Sequence, residues 1–254
     1  MRVAPYIAAW LIAFTGFAAA QTVGVTSAVN QSAVGLAPAA KAKTIYLGDE
    51  IIHRYEIAPR LHAQRVLPMV QELLAETGLS LTQVDAIAFG RGPGAFTGVR
   101  IAIGVVQGLA FGLDRPVLPV SNLAIIAQRA WRERGVTQVA AAIDARMDEV
   151  YWGCYRLDGD AMVLAGAEAV LAPEAIALPA AAVGDWFGAG TGWGYGGRMG
   201  VPLAELDATL LPHAQDLAVL AASAWQRGEA VAAESEAAQP VYLRDRVATP
   251  KQSV

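Results

Sequence analysis

Cysteine and histidine are almost missing from this chain: one Cys and three His in 254 residues. A lone cysteine excludes an intramolecular disulfide. Cys154 lies in the strand-like run 150–155 with no His or Asn near it in sequence, so it reads as a buried structural thiol and not as a nucleophile. The histidines, His53, His62 and His213, form no HxxxH or HExxH pair, and no zinc or iron motif follows from them. Charge is sparse as well: 17% of residues are charged, the net charge is −4 and the pI is near 5.4. That balance argues against free-standing nucleic-acid binding, which uses a basic face. Contact with RNA would need positive surface from a partner. A Walker loop is lacking too, because no Lys-Ser/Thr pair follows the one glycine-dense turn, and no Ser/His/Asp set supports a protease.

What the chain has in quantity is apolar surface, 55% of residues, ample for a core and too much for disorder. The length suits one large domain or two smaller ones. Residues 44–47 and 51–57 flank Gly48-Asp49-Glu50 and predict a hairpin. Residues 61–77 place Val66, Val70, Leu73 and Leu74 at helical spacing, with Gly78 as the stop and Pro68 as a kink or start. His62 reads there as a cap or packing residue. Residues 84–89 are apolar on both sides of their alternation, as a covered central strand is. A short strand or linker at 116–119 leads to Ser121 or Asn122, either of which caps a helix to about Arg132. Composition then shifts. Residues 139–143 and 150–157 pair around Asp144-Ala145-Arg146-Met147-Asp148-Glu149, where an acid/base cluster and a solvated turn with local salt bridges are both open readings. Residues 161–171 predict one more strand, the glycine- and aromatic-rich run 186–194 a turn beside a buried strand, and 213–227 a helix with Leu217, Leu220 and Ala221 on one face. Residues 229–239 read as a mobile connection, 240–244 as a last strand-like segment and 249–254 as a disordered tail.

The N-terminus reads differently. Arg2, the apolar stretch 3–17 and Ala18-Ala19-Ala20 before Gln21 have the form of a secretory signal, with a buried strand or helix as the alternative. The runs Gln21-Thr22-Val23-Gly24-Val25-Thr26-Ser27-Ala28-Val29-Asn30 and Lys43-Thr44-Ile45-Tyr46-Leu47-Gly48-Asp49 are similar to the opening of exported FecR-domain proteins.

The most informative stretch is Phe89-Gly90-Arg91-Gly92-Pro93-Gly94-Ala95-Phe96-Thr97-Gly98-Val99-Arg100. It joins a strand to a long apolar helix over 96–113, an order that can offer free backbone N–H groups to an anion or allow a tight, close-packed turn. The dinucleotide fingerprint fails, since after Gly92 and Gly94 its third glycine falls on Thr97, and Pro93 removes one donor. Within the helix Gly104, Gly108 and Gly112 form one stripe. Each interior glycine costs about 1 kcal/mol against alanine, so close approach of another backbone, from this fold or from a partner, is the compensation.

The full string resembles the TsaB (YeaZ) family, and so do Ile143-Asp144-Ala145-Arg146-Met147-Asp148-Glu149-Val150-Tyr151 and Pro240-Val241-Tyr242-Leu243-Arg244. The resemblance runs from about Gly48 to Ala248. It implies an α/β protein of the actin/Hsp70/sugar-kinase plan (ribonuclease H-like), with two similar subdomains and mixed sheets. The boundaries expected are 44–118 and 119–248, preceded by an atypical segment 1–43 with its signal-like start and followed by the tail 249–254. Family chains begin with a short strand ending in Asp-Thr or Asp-Ser. None is visible here, Val23-Gly24-Val25-Thr26-Ser27 being the nearest, so a foreign N-terminus joined near 47–55 and a missing first strand are expected.

The same resemblance implies a non-catalytic, cytoplasmic subunit that pairs with a TsaD-type protein, with a TsaE-type ATPase in the assembly and tRNA reached through the complex. The product is threonylcarbamoyladenosine beside the anticodon. It also implies self-association when TsaD is absent, no cofactor of its own, ATP or ADP at the interface with the partner, and no membrane. The partner seam is expected on Val70, Leu74, Val99, Ile103, Gly104, Gly108 and Gly112. Gly90, Gly92, Gly94 and Gly98 would shape the turn, Thr97 would cap the helix or sit just inside it, and Arg100 would touch a partner or phosphate. Asp144, Arg146, Glu149 and Tyr151 carry the second motif and Tyr242, Leu243 and Arg244 the third, with roles open and none catalytic. Two other readings stand beside this one. An autonomous ATPase or kinase of the same fold would need a magnesium-binding Asp on the first strand and two glycine hairpins. An exported FecR-like module would rest on the first fifty or so residues.

Overall fold

The run Ala86-Ile87-Ala88-Phe89-Gly90 is buried at every position because both of its faces are covered. The computed structural model describes residues 9–16, 21–28, 45–47, 51–56, 62–179 and 185–244. In chain order these form β1 (Ala9–Gly16), β2 (Gln21–Ala28), β3 (Ile45–Leu47), β4 (His53–Glu56), α1 (His62–Thr77), β5 (Ala86–Gly90), α2 (Phe96–Leu113), β6 (Val117–Val120) and α3 (Asn122–Arg134). There follow β7 (Gln138–Arg146), β8 (Glu149–Asp158), β9 (Ala161–Leu164), β10 (Ala169–Leu171), β11 (Phe187–Ala189), β12 (Glu205–Asp207) and α4 (Ala214–Gln226), with short 3-10 turns between them.

Two sheets repeat one plan. In the first, the order is β3-β2-β1-β5-β6, with β2 antiparallel to β1 and β5 and β6 parallel to it. In the second, the order is β10-β8-β7-β11-β12, with β8 antiparallel to β7 and β11 and β12 parallel. This is the doubled mixed sheet of the actin/Hsp70/sugar-kinase plan. Helices α1 and α2 cover one face of the first sheet. Helix α4 covers the other face and packs on α3, which lies on the second sheet. Strand alternation sorts the residues: Ile87 and Phe89 meet Val66, Leu73, Ile103 and Val106, while Ala86 and Ala88 meet Ala214, Leu217, Ala218 and Ala221. On β7, Val139, Ala141 and Ile143 face Leu123, Ile126 and Ala127 of α3, and Ala140 and Ala142 face Trp152, Trp186 and Trp193.

The expectation of a missing first strand is corrected. Ala9–Gly16 holds the central place, parallel to β5 and paired along its whole length with β2. The signal and FecR-like readings gain no support: residues 9–16 of the one form β1 and residues 21–28 of the other form β2. An apolar run rich in Ala, Ile and Phe has the same composition as a signal core and as a covered strand, and residues 9–16 pair here as a strand. Residues 1–8, 17–20 and 29–44 lie outside the described residues.

Three smaller expectations change. The hairpin expected over 44–57 does not join β3 to β4 among the described residues: both pair with β2, at Val25–Ser27 and at Gln21–Gly24. Residues 161–171 split into β9 and β10 around Gly166, whose φ is +114°. The Ala/Glu-rich segment 229–239 is not a free connection, because Val117 and Val231 exchange both backbone hydrogen bonds (2.8 and 2.9 Å) and Ala233 and Ala238 are buried. The tail 249–254 and the side chains of His53 and His62 lie outside the described residues.

Cys154 is buried among Trp152, Trp186 and Trp193, and burial pushes its thiol up to about 12. We expect no alkylation of the native chain by iodoacetamide at pH 8 and full alkylation in denaturant, since the thiolate is the reactive form. Rapid native labelling would contradict the packing described.

Candidate functional site

The three motifs, far apart in sequence, meet around one cleft of about 720 Å³ between the two sheets. Gly94, Phe96 and Val99 line it from the first motif, Asp144, Arg146 and Tyr151 from the second, and Tyr242 and Arg244 from the third.

The first turn is built by cross-strand bonds. Arg91 N–H donates to Val120 (2.8 Å), Asn122 N–H to the Gly92 carbonyl (2.8 Å) and Val241 N–H to the Arg91 carbonyl (3.0 Å). Gly92 has φ +100°, and a Cβ there would stand 3.3 Å from the Val241 carbonyl oxygen, so the third motif presses on the first where only glycine fits. Gly90 closes β5 and Gly98 is buried within α2. Ala95 is the N-cap of α2 and gives no side-chain bond; Thr97 lies just inside the helix and is exposed. The Arg100 guanidinium stacks 3.3 Å from the Phe96 ring centre and 5.2 Å from that of Tyr242, a cation–π contact at the cleft rim. Leu243 is half-buried.

The second turn is unusual. Arg146, Met147 and Asp148 have φ of +62°, +55° and +63°, three successive non-glycine residues in the left-handed region. Each costs about 1–3 kcal/mol and needs surrounding bonds to hold it. Arg146 N–H donates to Asp144 Oδ1 (2.8 Å), and Asp148 pairs with Arg198 (2.7 Å), which holds the Asp148 carboxyl below its usual range. Asp144 also accepts from Tyr195 (3.3 Å), and its N–H donates to Thr191 Oγ1 (3.2 Å). From the third motif, Arg244 donates to the carbonyls of Ala145 and Arg146 (3.2 Å each) and pairs with Glu149. The acidic and basic residues of this turn therefore bond to one another, which fits the salt-bridged turn and not an acid/base pair. Arg244→Ala should cost about 2 kcal/mol through the carbonyls and carboxylate it strands, a fall in Tm of about 4–8 °C for a chain of this size. Arg146→Ala, at a side chain 85% exposed, should change stability by less than about 0.5 kcal/mol. Equal effects in a thermal melt would refute the clamp.

The seam residues divide. Val70, Leu74, Val99 and Ile103 belong to the buried core, Val99 at the wall of the cleft, and not to the exposed stripe that the glycines form. Gly104, Gly108 and Gly112 face outward, and a Cβ at any of them would meet no atom within 4 Å. Beside them Phe111 is 86% exposed, and Leu67 on α1 is exposed too. Among the described residues α2 is the one helix long and apolar enough to span a membrane by composition, but its inner face packs on β1 and β5. No group of three or more His, Cys, Asp or Glu that could hold a metal occurs among the described residues.

Residues 47–187 match the family described as "TsaD: tRNA N6-adenosine threonylcarbamoyltransferase". The tRNA threonylcarbamoyladenosine biosynthesis protein TsaB of Escherichia coli (strain K12) is 47% identical over 203 residues, 78% of this chain and 87% of that protein. The chain belongs to the TsaB family. The TsaB of Haemophilus influenzae is 56% identical over 108 residues, 42% of this chain and 45% of that protein. The solved structure of YeaZ from Pseudomonas aeruginosa is 58% identical, covers 92% of this chain and 100% of its own, and superposes with a TM-score of 0.81.

This TsaB-family chain also uses residues that the motifs did not single out. Thr191 lines the cleft from the glycine-rich run, Phe96 and Val241 line it from within the first and third motifs, and Phe111 stands out only by its exposure. Thr191 could have been found from its place between Gly190 and Gly192; the outward direction of Phe111 has no sequence signal.

Proposed function

We propose that this chain serves tRNA threonylcarbamoyladenosine biosynthesis as a non-catalytic partner of a TsaD-type subunit. The observation that carries the reading is the outer face of α2, where three exposed glycines lie at one-turn intervals beside an exposed Phe111. Such a stripe lets a second helix come close to the backbone, and in isolation it is three residues of poor helix propensity with nothing in return. Family membership supplies the identity of the partner.

On this reading the assembly works in the cytoplasm, a TsaE-type ATPase joins it, and tRNA is reached through the complex, consistent with a net charge of −4. The chain holds no cofactor by itself, ATP or ADP sits where it meets the partner, and the same face lets two copies pair when TsaD is absent. Co-expression with the host's TsaD and purification by a tag on this chain alone is the test. Equimolar TsaD in the eluate is the expected result. Recovery of this chain without TsaD, at concentrations where both fold, would overturn it.

A further inference from the structure

A second hollow, of about 340 Å³, lies away from the motif cleft between α4 and the β8–β9 hairpin. Its floor is polar. The hydroxyls of Tyr155, 1% exposed, and Ser121, 7% exposed, both donate to one oxygen of Glu168, Oε1. Ser121 Oγ also accepts the Leu123 N–H (3.2 Å) as the cap of α3, so its one proton and one of its two lone pairs are engaged. Gly153 leaves room for this arrangement: a Cβ there would stand 3.0 Å from the Tyr155 ring and 3.5 Å from Glu168 Cγ.

Two groups on this floor are left over. Glu168 Oε2 accepts no hydrogen bond among the described residues. Arg91 lines the same hollow, its Nε is buried without a partner, and it forms no ion pair with Glu168 among the described residues. Its charge does reach the site, since it opposes the strong rise that burial imposes on the Tyr155 hydroxyl. A guanidinium and a carboxylate held apart in a partly desolvated hollow are costly unless something bridges them. The walls are apolar, from Leu220 and Ala224 on α4 and Val163 and Leu164 on β9, and at the rim Arg227 and Glu229 neutralise each other.

We propose that this hollow binds a small zwitterion of the α-amino-acid kind, its carboxylate on Arg91, its ammonium on Glu168 Oε2 and an apolar side chain against Leu220 and Leu164. The proposal does not depend on the TsaD reading, and its test involves no partner.

Calorimetric titration of the full chain with L-leucine, L-leucinamide and 4-methylpentanoate isolates the two charges without any mutation. Leucine should bind saturably near one equivalent, with a Kd of about 1 mM for a ligand of about nine non-hydrogen atoms. Each analogue, lacking one charge, should bind at least tenfold more weakly. Glu168→Gln and Arg91→Gln should each weaken leucine at least tenfold, and Arg91→Lys less. No saturation with leucine, or equal binding of all three compounds, would overturn the proposal and leave ordered water as the bridge between the two groups.

Discussion

Gly108→Leu should make this chain more stable and at the same time unable to hold its partner. The two effects have separate causes. Within the monomer a Cβ at Gly108 meets nothing within 4 Å, so the leucine lies in solvent and only helix propensity changes. Replacing an interior glycine by leucine gains about 0.8 kcal/mol, and the Tm should rise by about 2–3 °C. At a seam built for backbone approach, the same side chain overfills the contact by about 1–3 kcal/mol or more, which weakens association about 10–100-fold. Thermal melts and a titration against TsaD read both quantities on one preparation. A stabilised variant that binds as well as the parent would mean that the glycine stripe is not the contact. A destabilised variant would mean that the helix face described as open is not open.

Gly190→Ala should give a large loss of stability, since an added Cβ there comes nearer to backbone than at any other glycine whose surroundings are described. Gly190 follows β11 with φ +102°, and a Cβ would stand 2.4 Å from the Ala142 carbonyl oxygen and 3.3 Å from Ile126 Cδ1. The oxygen belongs to the backbone of β7, at the centre of the second sheet, and cannot turn aside as a side chain can. Backbone strain of about 1–3 kcal/mol and overpacking of about 1–3 kcal/mol together predict a loss near 4 kcal/mol. Gly78→Ala is the control: φ is +69° but no atom lies within 4 Å, so only the conformational cost of about 1–2 kcal/mol applies. Urea unfolding of the two variants separates overlap from strain, and equal midpoints would refute the close approach.

Much of this architecture is legible in the residues themselves. The 3.6 period of Val66, Val70 and Leu73 and the glycine stop at Gly78 mark α1, which spans His62–Thr77. The unbroken apolar run before the glycine turn marks β5, and Ser121 is the cap of α3, accepting the Leu123 N–H. The failures have one cause, that long-range pairing leaves no local trace. An Ala/Glu-rich stretch is compatible with a loose connection, and only its two bonds to Val117 make Val231 part of the fold. The apolar N-terminal run is locally ambiguous, and its place beside β5 resolves it as a strand. The residues 44–57 have hairpin turn chemistry, yet both strands find β2 instead of each other.

The site divides in the same way. Glycine at 92 and the charged turn at 144–149 are readable as special, because glycine density and clustered charge are local. Their meeting in one cleft with Tyr242 and Arg244 is not. Nor does spacing distinguish the inward Val99 and Ile103 from the outward Gly104 and Gly108 on a helix that is apolar nearly all round.

The most direct test of the TsaD-partner reading uses the inert native thiol. With Cys154 buried and its thiol pushed up to about 12, a chain carrying Phe111→Cys has one reactive cysteine, on the outer face of α2. A second chain carrying Met147→Cys has one at the exposed cleft turn. Maleimide labelling of each is timed with and without the TsaD-type subunit. The account predicts that the subunit slows labelling at position 111 at least tenfold and leaves position 147 within about twofold, the pattern of a buried contact on one face only. Protection at 147 with free labelling at 111 would contradict it and move the partner from the helix to the cleft.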